Sequence, residues 1–200
     1  MKKNSLFGTR NLVKIAILGV IAYVLMFIAF PLPFIAPPFY KMDFSEIAVL
    51  IGGFALGPMS AVLIEAIKII LNLLFSGTST MFVGEASNFI VGCAMVVPAS
   101  LIYRHEKSKK SAVKALMVGT ISMCAIGLFS NLYAVIPAYV NIMNLSLDMI
   151  LGMGQAIFPF IDSTLDLVIF CTTPFNLIKG VAVSLVTMAV YKHVSPLIKQ

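Results

Sequence analysis

The stretch from Leu12 to Phe30 reads LVKIAILGVIAYVLMFIAF and decides the class of fold. It contains a single charged residue, Lys14, close to its start. An α-helix needs about 20 mainly apolar residues to cross the hydrocarbon core of a bilayer. The stretch is too long for the apolar core of a secretory signal peptide, and no small-residue cleavage site closes it. We therefore interpret it as the first transmembrane helix.

The rest of the chain has the same apolar character. Of its 200 residues 60 % are hydrophobic and 11 % are charged, and the mean hydropathy is +1.03. A soluble domain of this length could not bury so much apolar surface and still cover itself with polar side chains. The net charge of +6 comes from residues that flank apolar runs, which argues against a nucleic-acid partner. We predict one all-α, multi-pass domain in the cell membrane, surrounded by lipid.

Apolar runs separated by Gly, Pro and polar turns predict a bundle of six transmembrane helices. Their approximate bounds are 11–30, 44–56, 58–75, 81–103, 112–139 and 174–191. The stretch 141–173 is also apolar in part, but it contains Asp148, Asp162 and Asp166. Because a charge at bilayer depth costs several kcal/mol, we predict that 141–173 is an outer loop with an interfacial or partly inserted helix.

The basic residues predict the orientation of the bundle. They cluster in three places, and an even number of helices puts all three on the same side of the membrane. By the positive-inside rule this side is the cytoplasm, so both termini are predicted to be cytoplasmic. The clusters are Lys2, Lys3, Arg10 and Lys14; Arg104, Lys107, Lys109, Lys110 and Lys114; and Lys192 and Lys199.

Polar side chains within the predicted helices gather in the middle and the outer half of the bundle. Ionisable residues inside a membrane indicate a functional site by default. The inner half is nearly all apolar, which favours a cavity open to the outside over a conducting pore. Aromatic residues around Phe44 crowd the first outer loop and could roof such a cavity. The polar candidates are Asp43, Glu65, Lys68, Glu85, Asn88, Asn131, Asn176 and Lys179.

Each of these residues also has a purely structural interpretation. Glu65 and Lys68, three residues apart on one helix face, could form an ion pair that only supports the bundle. Asp43 with Glu46 resembles a capping box at the start of the second helix. In the first helix, Ala16, Gly19 and Ala22 form a strip of small residues that either docks a partner helix or packs within the bundle.

Several catalytic motifs are missing from the sequence. Gly52–Gly57 is followed by Pro58 rather than by Lys and Ser or Thr, so the segment is not a nucleotide-binding P-loop. No HExxH or GxSxG motif is present. Three lone cysteines lie in apolar stretches, and neither histidine has an acidic cluster nearby. We predict a binding protein without metal or cofactor that cannot by itself hydrolyse nucleotide through a P-loop.

Five segments resemble the substrate-binding (S) components of energy-coupling factor (ECF) vitamin transporters, the last three of them the riboflavin-specific members. The segments are Lys41–Ile47, Gly52–Pro58, Glu65-x-x-Lys68, Gly84–Phe89 and Thr173–Gly180. The resemblance covers nearly the whole chain and implies six helices, a riboflavin site near the outer surface and a gating first loop. It also implies a coupling transmembrane protein with two ATPase subunits as partners. The family's Ala-x-x-x-Ala docking motif is altered, since Val20 stands four residues after Ala16.

Riboflavin agrees with the chemistry of the candidate residues. Its flat rings are apolar on both faces, and the donors and acceptors on its pyrimidine edge match the amides of Asn131 and Asn176. We predict that Lys68 and Glu65 support a pocket from beneath. The predicted pocket residues are Asn176, Lys179, Asn131, Asn88, Glu85, Asp43 and Phe44. The alternatives are an S component for another water-soluble vitamin and an intramembrane enzyme that uses Glu65 and Glu85 as acid and base.

Overall fold

The computed structural model describes the backbone of residues 8–199 and the side chains of residues 8–191. Within this range the chain is mostly helical, and the helices pack side by side, which confirms the predicted all-α membrane architecture. The helices are α1 (Thr9–Phe27), α2 (Glu46–Leu56), α3 (Pro58–Phe75), α4 (Val83–His105), α5 (Lys109–Ser130), α6 (Ile136–Met143), α7 (Leu147–Gln155), α8 (Thr164–Leu167) and α9 (Thr173–Lys199).

Five helical segments are long and apolar enough to cross a membrane, and the sixth predicted helix, α2, is short. Its 11 residues extend only about 17 Å at 1.5 Å per residue, well short of a bilayer core of about 30 Å. Gly57 ends α2 at a φ of 105°, a conformation that favours glycine, and Pro58 then starts α3. From Glu46 to Phe54 every residue of α2 is buried, so α2 lies inside the bundle.

Two of the long segments contain a single π-helical turn. Asn131–Val135 joins α5 to α6 within the segment Lys109–Met143, and Val168–Thr172 joins α8 to α9 within Thr164–Tyr191. π-Turns in α-helices occur mainly at functional sites, because the extra residue redirects nearby side chains. These two turns contact each other, and Asn131 of the first and Thr172 of the second both lie within hydrogen-bond distance of the Tyr40 hydroxyl.

Several helix bounds differ from the predicted ones. The last membrane segment begins at Thr164 instead of residue 174, because Ser163 and Asp166 form a capping box that starts a helix there. The predicted loop 141–173 therefore contains the end of α6, the separate helix α7 and the first turns of the last segment. Three other bounds also differ. α1 ends at Phe27 rather than at residue 30, α4 starts at Val83 rather than at residue 81, and α5 starts at Lys109 rather than at residue 112.

The connection between α1 and α2 forms a small antiparallel ribbon. Strand β1 (Phe30–Pro31) pairs with strand β2 (Lys41–Met42), with Phe30 opposite Met42. We call residues 28–45 the first loop. The ribbon holds the part of this loop that follows Pro38 close to the buried start of α2.

The small-residue strip on α1 does not form the predicted docking surface. Gly19 and Ala22 are buried, and Gly19 lies against Ile67 of α3 so closely that no Cβ would fit. Ala16, the third residue of the strip, is exposed, and its role in partner docking stays a prediction. The assignment of Gly19 and Ala22 to partner docking is therefore wrong, because α1 is rotated so that these two residues pack within the bundle.

The end of the bundle that is predicted to be cytoplasmic is closed by side chains. The rings of Phe54 and Tyr103 stack with centroids 4.4 Å apart, and Tyr191 contacts both edge-on. These residues belong to a buried apolar cluster that extends through α1, α2, α4 and α5. Below the polar residues the bundle thus has a packed core rather than a channel.

Candidate functional site

A network of buried charges lies where α2, α3 and α9 meet the first loop. Lys68 of α3 has 0 % of its surface exposed, and its ammonium donates to Asn88 Oδ1 at 2.9 Å, Ser45 Oγ at 3.1 Å and Glu46 Oε1 at 3.3 Å. It also forms an ion pair with Glu65, one turn earlier on the same helix. A buried ammonium is tolerated only when it is paired in this way.

Lys179 of α9 forms the second centre of this network. Its Nζ lies 2.8 Å from Asp43 Oδ2 and 3.2 Å from Glu46 Oε2. Burial opposes ionisation of Asp43, but Lys179 and then Lys68 outweigh it and hold the pKa of Asp43 below its usual range. Glu46 contacts both lysines and so links α3 to α9 through α2.

Sequence reasoning assigned Glu46 only a capping role, and the structure differs. Ser45 is the N-cap of α2 without any side-chain capping bond, and Asp43 instead accepts from the Ser45 N–H at 2.9 Å. The missed signal was a carboxylate at the start of an otherwise apolar, fully buried helix.

The close approach of α4 to this network depends on Gly92. A Cβ at this position would collide with the Glu65 carboxylate. That carboxylate makes no further hydrogen bond among the described residues beyond its ion pair with Lys68. The absence of a side chain at position 92 therefore makes room for a buried acid.

A cavity of about 90 Å³ lies above the network, and we call it the ring cavity. Four predicted site residues, Asn88, Asn131, Asn176 and Lys179, line it. The remaining surface has an aromatic and aliphatic part, and Lys41, Glu46 and Ser87 are further polar groups. The apolar lining consists of Phe39, Tyr40, Val91, Met123, Val135, Tyr139 and Phe175.

The amide of Asn131 is already hydrogen-bonded within the protein. Its Nδ2 donates to the Gly127 carbonyl at 2.8 Å, and its Oδ1 accepts from the Tyr40 hydroxyl at 2.9 Å. The Tyr40 oxygen also lies 2.8 Å from Thr172 Oγ1. Burial raises the pKa of the Tyr40 hydroxyl, which keeps it protonated as a donor. Tyr40 thus fastens the first loop to both π-turns.

The amide of Asn176 differs from that of Asn131 in having no partner. Asn176 is 5 % exposed, lines the ring cavity and makes no hydrogen bond to any described residue. Its Nδ2 lies over Gly127, which leaves room for the amide only because it lacks a Cβ. A nearly buried amide with an open donor and acceptor, next to a cavity, is suited to bind a polar ligand edge.

A second cavity of about 390 Å³ adjoins the first, and we call it the tail cavity. Phe39, Lys41, Gly84 and Asn88 line both cavities and so form the boundary between them. The lining of the tail cavity combines the apolar side chains of Met26, Phe27, Ala29 and Phe39 with hydroxyl, amide and carboxylate groups. These groups belong to Asp43, Asn72, Ser76, Ser79, Thr80, Glu85 and Asn88.

Three predicted site residues line neither cavity. Glu65 and Lys68 lie beneath the ring cavity as part of the ion network, the supporting position that was predicted for them. Phe44 packs against the two apolar clusters of the core instead of facing a cavity. The prediction that Phe44 lines the pocket is wrong in this structure, because the first loop presents Phe39 and Tyr40 there instead.

Comparisons with known proteins agree with this architecture. The family model described as "ECF transporter, substrate-specific component" matches residues 10–191. The riboflavin transporter RibU of Staphylococcus aureus is 30 % identical over 199 residues, covering 100 % of this chain and 97 % of the relative. The riboflavin transporter FmnP of Bacillus subtilis is 29 % identical over 193 residues, covering 96 % and 95 %.

A solved structure, that of the S component of a bacterial ECF transporter, superposes with a TM-score of 0.73 at 32 % sequence identity. The match covers 94 % of this chain and 97 % of that chain. The family model, the relatives and the structure each span nearly the whole chain. This chain therefore belongs to the family of substrate-specific components of ECF transporters.

Proposed function

We propose that this chain is the riboflavin-binding S component of an ATP-driven vitamin importer of the cell membrane. One observation carries the proposal: Asn176, an almost buried amide without a hydrogen-bond partner among the described residues, lines a cavity with aromatic walls. The adjoining tail cavity carries hydroxyl, amide and carboxylate groups, with Met26 and Phe27 as apolar neighbours. The flavin rings suit the aromatic walls and the amide, and the polyhydroxylated ribityl chain suits the hydroxyl and carboxylate groups.

The rings would be recognised chiefly through Asn176. Its amide can donate to a carbonyl and accept from an N–H of the pyrimidine edge without breaking an existing hydrogen bond. Asn131 uses one Nδ2 hydrogen for Gly127 and one Oδ1 lone pair for Tyr40, which leaves one donor and one acceptor site for the ligand. The Lys179 ammonium donates two of its three hydrogens to Asp43 and Glu46, which leaves one N–H for a ligand oxygen.

Binding also requires movement of the first loop. The ring cavity is smaller than the roughly 300–1,000 Å³ of ordinary ligand pockets, and Phe39 and Lys41 separate it from the tail cavity. Displacing these two residues would join the cavities. We propose that the first loop opens for entry and that the contacts of Tyr40 with Asn131 and Thr172 hold it closed.

We propose ligand binding and not catalysis. The acids that an intramembrane enzyme would use are engaged elsewhere: Glu65 pairs with Lys68, and Glu85 accepts hydrogen bonds from two threonines in a different cavity. The importer would gain its driving force from partners, a coupling transmembrane protein with two ATPases. No cofactor is needed, because riboflavin is the transported substrate.

The test is to purify the chain in detergent without added vitamin and identify any bound ligand by mass spectrometry and absorbance. Equilibrium dialysis with riboflavin, and with thiamine and biotin as controls, then measures affinity. We expect a one-to-one complex with riboflavin and none with the other two. Tight binding of another vitamin without riboflavin would contradict the proposal, as would a folded protein that binds none of them.

A further inference from the structure

The tail cavity contains an acid that no cation balances. Glu85, in the first turn of α4, is 9 % exposed. Its Oε2 accepts hydrogen bonds from Thr78 Oγ1 at 3.0 Å and Thr80 Oγ1 at 2.8 Å. Both donors are neutral and both bind the same oxygen, so the second oxygen is available to a donor in the cavity.

Glu85 is the carboxylate of this cavity that has no ion-pair partner among the described residues. Asp43 also lines the cavity, but Lys179 pairs with it at 2.8 Å and offsets its charge. Among the described residues Lys41 is the one basic residue that lines the tail cavity. Its side chain is exposed and forms no ion pair with Glu85, so the charge of Glu85 stays unpaired beside the cavity.

Such a lining suits hydroxyl groups and opposes phosphate. A hydroxyl donates to a carboxylate in a strong, charge-assisted hydrogen bond. A phosphate monoester has a charge of about −1.5 to −2 at neutral pH and offers mainly acceptors. Next to Glu85 it would meet a like charge in a partly desolvated space, where repulsion is weakly screened.

From this we infer that Glu85 is the residue that selects riboflavin against its 5′-phosphate, FMN. The inference rests on the proposed function and adds to it the substrate class, which is the neutral, unphosphorylated flavin. Glu85 accepts from a ribityl hydroxyl, and its charge repels a phosphate attached to the end of the same chain. Lys41 at the boundary acts in the opposite direction and weakens the repulsion.

The experiment compares the Kd values of riboflavin and FMN by equilibrium dialysis on the purified full chain. The variants are Glu85→Gln, which keeps an acceptor for the threonines, and Lys41→Glu, which adds a negative charge at the boundary. Glu106→Gln is the matched control, because Glu106 is an exposed acid between α4 and α5, in a segment that lines neither flavin cavity.

Since juxtaposed like charges cost several kcal/mol, we expect wild-type protein to bind FMN at least about tenfold more weakly than riboflavin. The ratio of Kd for FMN to Kd for riboflavin should fall about tenfold in Glu85→Gln, rise in Lys41→Glu and stay constant in Glu106→Gln. Equal binding of both flavins by wild type, or a ratio unchanged in Glu85→Gln, would overturn the inference while leaving riboflavin binding intact. If Glu85→Gln does not fold, the Lys41→Glu ratio decides alone. A wild-type protein that binds neither flavin would refute the proposed function itself, and the inference with it.

Discussion

Replacement of Asn176 by alanine separates ligand recognition from folding. The side chain lines the ring cavity and has no hydrogen-bond partner among the described residues, so its loss removes no bond from the folded protein. If the amide makes two neutral hydrogen bonds to the flavin edge, each contributes about 0.5–1.5 kcal/mol. The loss of about 1–3 kcal/mol corresponds to a roughly 5- to 150-fold increase in the Kd of riboflavin.

The assay is riboflavin dialysis together with thermal unfolding of the ligand-free protein in detergent. We expect Asn176→Ala to weaken binding within this range and to leave the unfolding temperature unchanged. Asn131→Ala should lower both the riboflavin affinity and the unfolding temperature, because Asn131 bonds to Gly127 and Tyr40 within the protein. Asn141→Ala, at an exposed position of α6, is the control that should lower neither. Riboflavin affinity within twofold of wild type in Asn176→Ala would refute the assignment of this amide to the ligand.

Three further predictions concern the ion network. Lys68→Met leaves the buried Glu46 and Glu65 without their shared cation and should lower the free energy of unfolding by about 3–5 kcal/mol, which denaturation in detergent would detect. Gly92→Ala places a Cβ against the Glu65 carboxylate and should cost about 1–3 kcal/mol; an unchanged unfolding temperature would show that α4 can move away. Asp43→Asn should destabilise the protein at neutral pH, where wild-type Asp43 is ionised beside Lys179. Because the folded-state pKa of Asp43 is lowered, this stabilisation is complete above the usual Asp value of about 4 and is lost as the pH falls further, so the two proteins should converge in acid.

The ion network also limits how the predicted ligand contacts can be tested. A double replacement of Asn176 and Lys179 by alanine would alter the fold as well as flavin binding. The structure pairs Lys179 with two buried carboxylates, and its removal would leave Asp43 without its ion-pair partner and Glu46 with Lys68 alone. Only the Asn176 replacement isolates the ligand contact.

Much of the site was predictable from residue type and depth. Asn88, Asn131, Asn176 and Lys179 come together around the ring cavity, as their shared position in the outer half predicted. Asp43 and Glu85 line the adjoining tail cavity. The pattern was informative because a polar group in an apolar span needs a partner, and partners are found where other polar groups lie at the same depth.

The sequence alone determined that the chain is a helical membrane protein, the order of its helices, and which polar residues share the middle and one half of the bundle. These properties follow from local hydropathy and residue spacing. The tertiary structure decided that Glu46 pairs with two lysines and that Gly19 and Ala22 face inward. It also decided that Asn131 accepts a hydrogen bond from Tyr40, while Asn176 has no partner among the described residues. Such pairings depend on the rotation of each helix about its axis and on the path of the first loop. Both are set by packing between distant segments, which no local pattern encodes.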